Sequence, residues 1–215
     1  MSLFTLRCFD RWMTLRFPHP MQCWSWAIVN GGAAVSDTIA WLFLQPDEIS
    51  HSIDVTAWYR EQLRDVGLEH AVGLMTSRRR HAYVEAGVGS ACHVVATVGL
   101  SNALAAGDPA APSSSHTINI ACVLSQRLST EAALEAIALV SEARAAAMLE
   151  ASIPSVVSGR PASGTGTDCI AVAYPTHGDA EVYCGKHTVL GAHIGASVRE
   201  AIRKGIAEWL LEFRA

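Results

Sequence analysis

The chain has no CxxC pair, no Gly-x-Ser-x-Gly elbow, no complete phosphate loop and no long uninterrupted apolar run. Each absence removes a class of function. Cys8, Cys23, Cys92, Cys122, Cys169 and Cys184 are scattered, several inside apolar stretches such as Ala121-Cys122-Val123, which is the pattern of reduced, buried thiols in a cytosolic protein. Charge is scarce as well: 17% of residues are charged and the net charge is -4, so there is no basic footprint for nucleic acid or an acidic membrane surface. The first twenty residues carry Arg7, Arg11 and Arg16 without an apolar core between them, unlike a secretion signal, and no later segment is long and apolar enough for a bilayer span. The expectation is a cytoplasmic protein with a small-molecule ligand and neither nucleic acid nor membrane as partner. Assembly into a homo-oligomer stays open.

What is present suits a packed domain. Half of the 215 residues are hydrophobic, enough for a core that needs no disulfide. Residues 1–20 read as an irregular segment and 21–215 as one domain. Trp26 to Val29 reads as a strand ending at Asn30-Gly31-Gly32, and Ala57 to Val66 as a helix. Ala71 to Thr76, Cys92 to Val98, Thr117 to Leu124 and Ile170 to Ala173 read as further strands. Gly107 to Ser115, rich in glycine, proline and serine, is the clearest linker, and it divides the domain into halves of about 21–107 and 116–215. Ser129 is a candidate N-cap with Glu131 in the first turn. The helix after it is expected to bury Leu134, Ile137, Ala138, Ser141, Ala145, Met148 and Leu149. A last helix is expected to bury Ile194, Val198, Ile202, Ile206, Leu210 and Phe213. The fold class is α/β: a single compact domain with a mixed β-sheet flanked by helices, compatible with two degenerate structural halves.

Two segments concentrate groups able to do chemistry. Gly164-Thr165-Gly166-Thr167-Asp168 combines flexible backbone, two hydroxyls and a carboxylate before a strand, an arrangement able to present N–H groups to an oxyanion. It also suits a plain glycine turn in which Asp168 caps backbone donors. Tyr183-Cys184-Gly185-Lys186-His187-Thr188 sets an ammonium, an imidazole and a hydroxyl before the last helix. A nucleotide loop is excluded there, because Ala180 and His187 stand where glycine and Ser or Thr are required. His177, Cys184, His187 and His193 match no common zinc spacing, so no metal site is expected. Thr117 and Asn119 share one face of their strand, with Ile118 and Ile120 on the other. Glu142 is expected to stay in water, and Arg78-Arg79-Arg80-His81 reads as a solvated turn. A serine nucleophile at Ser90 or Ser101 is disfavoured because the second glycine of an elbow is missing, leaving water as the simpler nucleophile.

In order, Asn30-Gly31-Gly32, Gly73-Leu-Met75-Thr76, Ala96-Thr97-Val98-Gly99, Thr117-Ile-Asn119-Ile, Gly164-Thr-Gly-Thr-Asp168 and Gly185-Lys-His-Thr188 resemble the adenosylcobinamide amidohydrolase family of the CbiZ type, over about residues 25 to 205. Near its start the chain departs from the family pattern, with Cys23-Trp24-Ser25-Trp26 in place of Leu-Ser-Ser. The resemblance implies cleavage of the amide joining a corrin propionyl arm to aminopropanol in adenosylcobinamide or a related cobamide, with adenosylcobyric acid as product. It also implies no resident cofactor, since cobalt arrives within the corrinoid substrate. The residues placed on that reaction are Asp168 and His187 as catalysts, one of them activating water, with His187 oriented by Asp168. Thr165, Gly166, Thr167 and Lys186 are expected to hold the oxyanion, and Asn30, Gly31, Gly32, Thr76, Thr97, Gly99, Asn119 and Thr188 to contact substrate. The rivals are a corrinoid-binding module without hydrolysis and an autoprocessed hydrolase with its new N-terminus near Ser115-His116-Thr117.

Overall fold

A computed structural model describes residues 2–45, 48–49, 53–110 and 116–213. The first twenty residues are not irregular: β1 (Thr5–Phe9) pairs antiparallel with the start of β2 (Trp12–Ser25), which continues into β3 (Gly32–Phe43). Arginines disguise this ribbon in the sequence, because Arg7 and Arg16 point outward while Trp12, Met13 and Leu15 are buried. The register shifts between Arg16 and Met21, where Pro18 and Pro20 interrupt the ladder and bend it. Trp26 to Val29, expected as a strand, is a loop with a single bridge from Val29 to Gly73.

The chain then runs through α1 (Val55–Asp65), β4 (Val72–Thr76), β5 (Val84–Val88), β6 (Cys92–Val98) and the short β7 (Ala103–Leu104). Residues 111–115 of the expected linker lie outside the described residues. Beyond them come β8 (Ile118–Leu124), β9 (Arg127–Leu128), α2 (Thr130–Glu150), β10 (Gly164–Thr165), β11 (Cys169–Pro175), β12 (Ala180–Glu181) and α3 (Val189–Phe213). The mixed sheet has the order β4-β3-β2-β11-β8-β6-β5. The two proposed halves interleave: β11 lies between β2 and β8, and β8 lies between β11 and β6.

The sheet folds over itself, making four layers. α1 covers the outer face of β3 and β4, with Tyr59 and Leu63 against Ala40, Leu42 and Ala71. Between the two parts of the sheet, Leu15, Ile39, Trp41 and Leu74 meet Val95, Ala121, Val123 and Ala171. On the far side, Ile118, Ile120, Cys122 and Leu124 of β8 pack beneath α2 and α3. With both faces covered, every residue of β8 is buried.

Ser129 caps α2 as expected, accepting from the Ala132 N–H at 3.2 Å. The buried face of α2 differs from expectation. Ala132, Ala133, Ala136, Leu139, Val140, Ala143, Ala147 and Met148 are inside, while Leu134 and Leu149 are exposed. An alanine-rich helix offers little contrast between its faces, and its small residues favour close approach to the sheet. In α3, Ile194, Val198, Ile202 and Ile206 are buried as expected, followed by Trp209 rather than the exposed Phe213.

Candidate active site

β8 and β11 are parallel, so the segments that precede them emerge side by side at one end of the sheet. β6 runs antiparallel to β8, which brings its exit to the same place, and Gly99 N–H donates to Thr117 O at 3.1 Å. The turn at 164–168 joins this group through Gly166 N–H to Asn102 O (3.1 Å) and through the hydroxyls of Thr117 and Thr165 (3.3 Å). β4 arrives from across the fold, where the Asn119 amide donates to Met75 O at 2.6 Å. Trp26 donates its indole N–H to Asp168 O at 2.7 Å, and Val29 bridges to Gly73.

Asp168 is the hub of this edge. Its Oδ2 lies 2.6 Å from Arg144 Nη1 and accepts from the Thr165 N–H at 3.0 Å. Its Oδ1 accepts from the Ile118 N–H at 3.3 Å and from the Thr165 hydroxyl. The side chains of Arg144 and Asp168 are 15% and 8% exposed, so the ion pair is largely withdrawn from water. Burial pushes the Asp168 carboxyl above its ordinary pKa, while Arg144 and the Thr165 hydrogen bonds pull in the opposite direction. The carboxylate thus ties the turn to α2 and to the start of β8. A Cβ at Gly164 would meet Asp168 Oδ2 at 2.3 Å and Arg144 Cζ at 3.0 Å, so any larger residue there must displace the ion pair. Gly99 is constrained in the same way, by His116 Cβ at 2.8 Å and Arg78 Cδ at 3.1 Å.

The expected oxyanion donors are largely committed. Thr165 N–H serves Asp168 and Gly166 N–H serves Asn102, which leaves Thr167 in an exposed position. Asn119 is buried rather than facing an open cleft, and Thr97, opposite it in the ladder, is buried with a hydroxyl that has no partner among the described residues. Thr76 is buried and accepts from the Arg78 N–H at 3.2 Å. Asn30 adopts φ +54° and its amide holds Glu69 O (2.9 Å) and Ala71 O (2.8 Å), fixing the loop that Gly31 and Gly32 complete.

The Gly185-to-Thr188 turn lies elsewhere. It follows β12, which pairs with β9 beyond the far end of β8. β8 has seven residues, and a strand of that length separates its two ends by ~20 Å. Cys184 N–H donates to Glu135 Oε2 at 2.7 Å, and Lys186 pairs with Glu142 at 2.5 Å. Glu142 and Arg144 are two positions apart on α2, so they leave the helix in nearly opposite directions. Thr188 caps α3 by accepting from the Gly191 N–H at 2.9 Å. His187 is exposed. Among the described contacts none links Asp168 to His187: Asp168 is held by Arg144, Thr165 and Ile118, and the Gly185-to-Thr188 turn is tied to Glu135 and Glu142 instead.

The family model described as adenosylcobinamide amidohydrolase (CbiZ) matches residues 3–212. The chain belongs to the adenosylcobinamide amidohydrolase family. No curated protein matches it. Of the family-like segments in this amidohydrolase, all but Gly185-to-Thr188 are linked to the edge around Asp168, directly or through their neighbours.

Sequence reasoning missed three contributors at this edge. Arg144 partners Asp168. Arg78 is not solvated: its side chain is 3% exposed, pairs with Glu212 at 2.7 Å and lies 4.7 Å from the Trp209 ring centroid. His116 stands 2.8 Å from the Ser101 hydroxyl. That contact follows from the antiparallel pairing of β6 with β8, which places the exit of one strand beside the entry of the other. Glu142 is exposed, as expected. Among the described residues, no group of three or more His, Cys, Asp or Glu side chains is arranged to hold a metal ion, and no helix is long and apolar enough to cross a membrane.

Proposed function

We propose that this chain hydrolyses the amide between the corrin propionyl arm and aminopropanol of adenosylcobinamide, giving adenosylcobyric acid. Family membership supports an amidohydrolase with a corrinoid substrate. The observation that carries the location is the gathering of four loop systems, those around Trp26, Thr76, Gly99 and Thr165, at the edge where β8 and β11 begin. In this reading Asp168 orders the Gly164-to-Thr167 turn instead of activating water. Thr167 and the neighbouring Asn30-Gly31-Gly32 and Gly99 loops shape the surface that receives the scissile arm, while the buried Thr76, Thr97 and Asn119 at or near the ends of β4, β6 and β8 support it from beneath. Lys186, His187 and Thr188 form a separate turn that serves the start of α3. The cobalt belongs to the substrate, and the scattered free thiols fit a cytoplasmic enzyme.

The test is incubation of the purified protein with adenosylcobinamide, with a complete cobamide in parallel, followed by mass spectrometry for free aminopropanol and for adenosylcobyric acid. The expected result is both products from cobinamide. Corrinoid binding without amine release would instead mark a binding module. An active protein of less than the full 23.0 kDa would point to autoprocessing.

A further inference from the structure

β6 ends in a tight turn closed by the Ala103 N–H to Leu100 O hydrogen bond at 3.1 Å, with Ser101 and Asn102 at its tip. His116 precedes β8, the antiparallel neighbour of β6, and its Nδ1 lies 2.8 Å from Ser101 Oγ. A hydroxyl and an imidazole at this separation have the geometry of a nucleophile and its base. The imidazole is positioned from several sides. His116 has φ +76°, a left-handed conformation that residues with a Cβ rarely adopt. Its N–H donates to Ser77 Oγ at 2.6 Å, and its ring meets Trp209 edge-on with centroids 5.0 Å apart. Ser101 is exposed, so a substrate carbonyl can approach it.

A second observation lies beside the pair. Asn102 is 2% exposed, yet its side-chain nitrogen has no hydrogen-bond partner among the described residues. A buried amide donor left unpaired is costly, and a substrate oxygen arriving at the adjacent serine would supply the missing acceptor.

We propose that Ser101 is the nucleophile of the hydrolysis, that His116 is its general base and then general acid, and that the Asn102 amide donates to the oxyanion. This inference rests on the amidohydrolase reading and adds the chemistry of its site. Ser101 Oγ bonds to the amide carbonyl carbon while its proton passes to His116 Nδ1. The C–N bond then breaks, and the amine leaves with that proton, which leaves the corrin acid esterified to Ser101. Water attacks the ester and gives a proton to His116, the C–Oγ bond breaks, and the proton returns to the serine. Amide and water are consumed, and acid and amine are formed. The absent second glycine of an elbow is no obstacle, because the Leu100-to-Ala103 turn alone exposes the hydroxyl.

Two measurements test this separately from the substrate assignment. In the first, parent, Ser101→Ala and His116→Ala are compared for aminopropanol release, with melting curves to check folding and hydroxylamine added to intercept an acyl-enzyme. The expected result is hydroxamate formation by the parent and a rate loss of about a thousandfold or more in Ser101→Ala with its melt unchanged. Turnover by Ser101→Ala within about threefold of the parent, or amine release by the parent with no hydroxamate, overturns the proposal. The second uses a fluorophosphonate probe, which needs no corrinoid. Labelling at Ser101 in the parent and not in His116→Ala supports the pair even if adenosylcobinamide proves not to be the substrate. No labelling at Ser101 in a folded parent that also releases no amine overturns it.

Discussion

Asp168 receives a guanidinium, a hydroxyl and two backbone N–H groups, so its charge is committed to structure before any substrate arrives. Asp168→Asn would leave Arg144 largely buried without its counter-charge, which costs about 3 kcal/mol in comparable sites. The expected outcome in urea denaturation is a loss of that order. Combined with Arg144→Met, the loss should be smaller than the sum of the two single changes, because the double variant no longer holds an unpaired charge. Additive losses would show that the pair is not coupled. At this scale the sequence was informative about position more than role. Gly164-to-Asp168 stood out, and the alternative of a capped glycine turn fits what forms. The ion pair could not be foreseen, because nothing in the sequence spacing of Arg144 and Asp168 says that α2 passes over that turn. Arg78 was hidden for a similar reason: a run of three arginines reads as solvated, while its first member is covered by the distant Trp209.

Elements were more legible than the faces they present. Both long helices and the strands β4, β6, β8 and β11 follow from apolar periodicity, whereas β5 and the two-residue strands were not foreseen and β1 and β2 were obscured by prolines and outward arginines. The buried stripe of α2 was misplaced because alanines, which permit close approach, carry less pattern than the leucines that lie in solvent. Close approach also governs α3. A Cβ at Gly205 would lie 2.4 Å from Val98 Cγ2 and 2.7 Å from Val98 Cβ. Gly205→Ala gains up to about 1 kcal/mol of helix propensity but meets an overpacking cost of about 1–3 kcal/mol. The expected result is a thermal midpoint lowered by a few degrees. A raised midpoint would mean that α3 is not held this tightly against β6.

The whole molecule explains why residues remote in the sequence share one edge. Parallel β8 and β11 begin together, antiparallel β6 ends there, and the folded-over sheet carries β4 across to Asn119. A sequence divided at residue 107 hides this, since strands from both sides of the linker alternate within one sheet. It also hides that the Gly185-to-Thr188 turn belongs to the opposite end. The central claim is that corrinoid amide hydrolysis takes place where β8 and β11 begin. Its most direct measurement is the rate of aminopropanol release from adenosylcobinamide by the parent and by His187→Ala, both shown to be folded. The account predicts release by the parent and a rate for His187→Ala within about twofold of it, as for a surface residue remote from the chemistry. A parent that releases no amine, or a folded His187→Ala that has lost turnover, would contradict it.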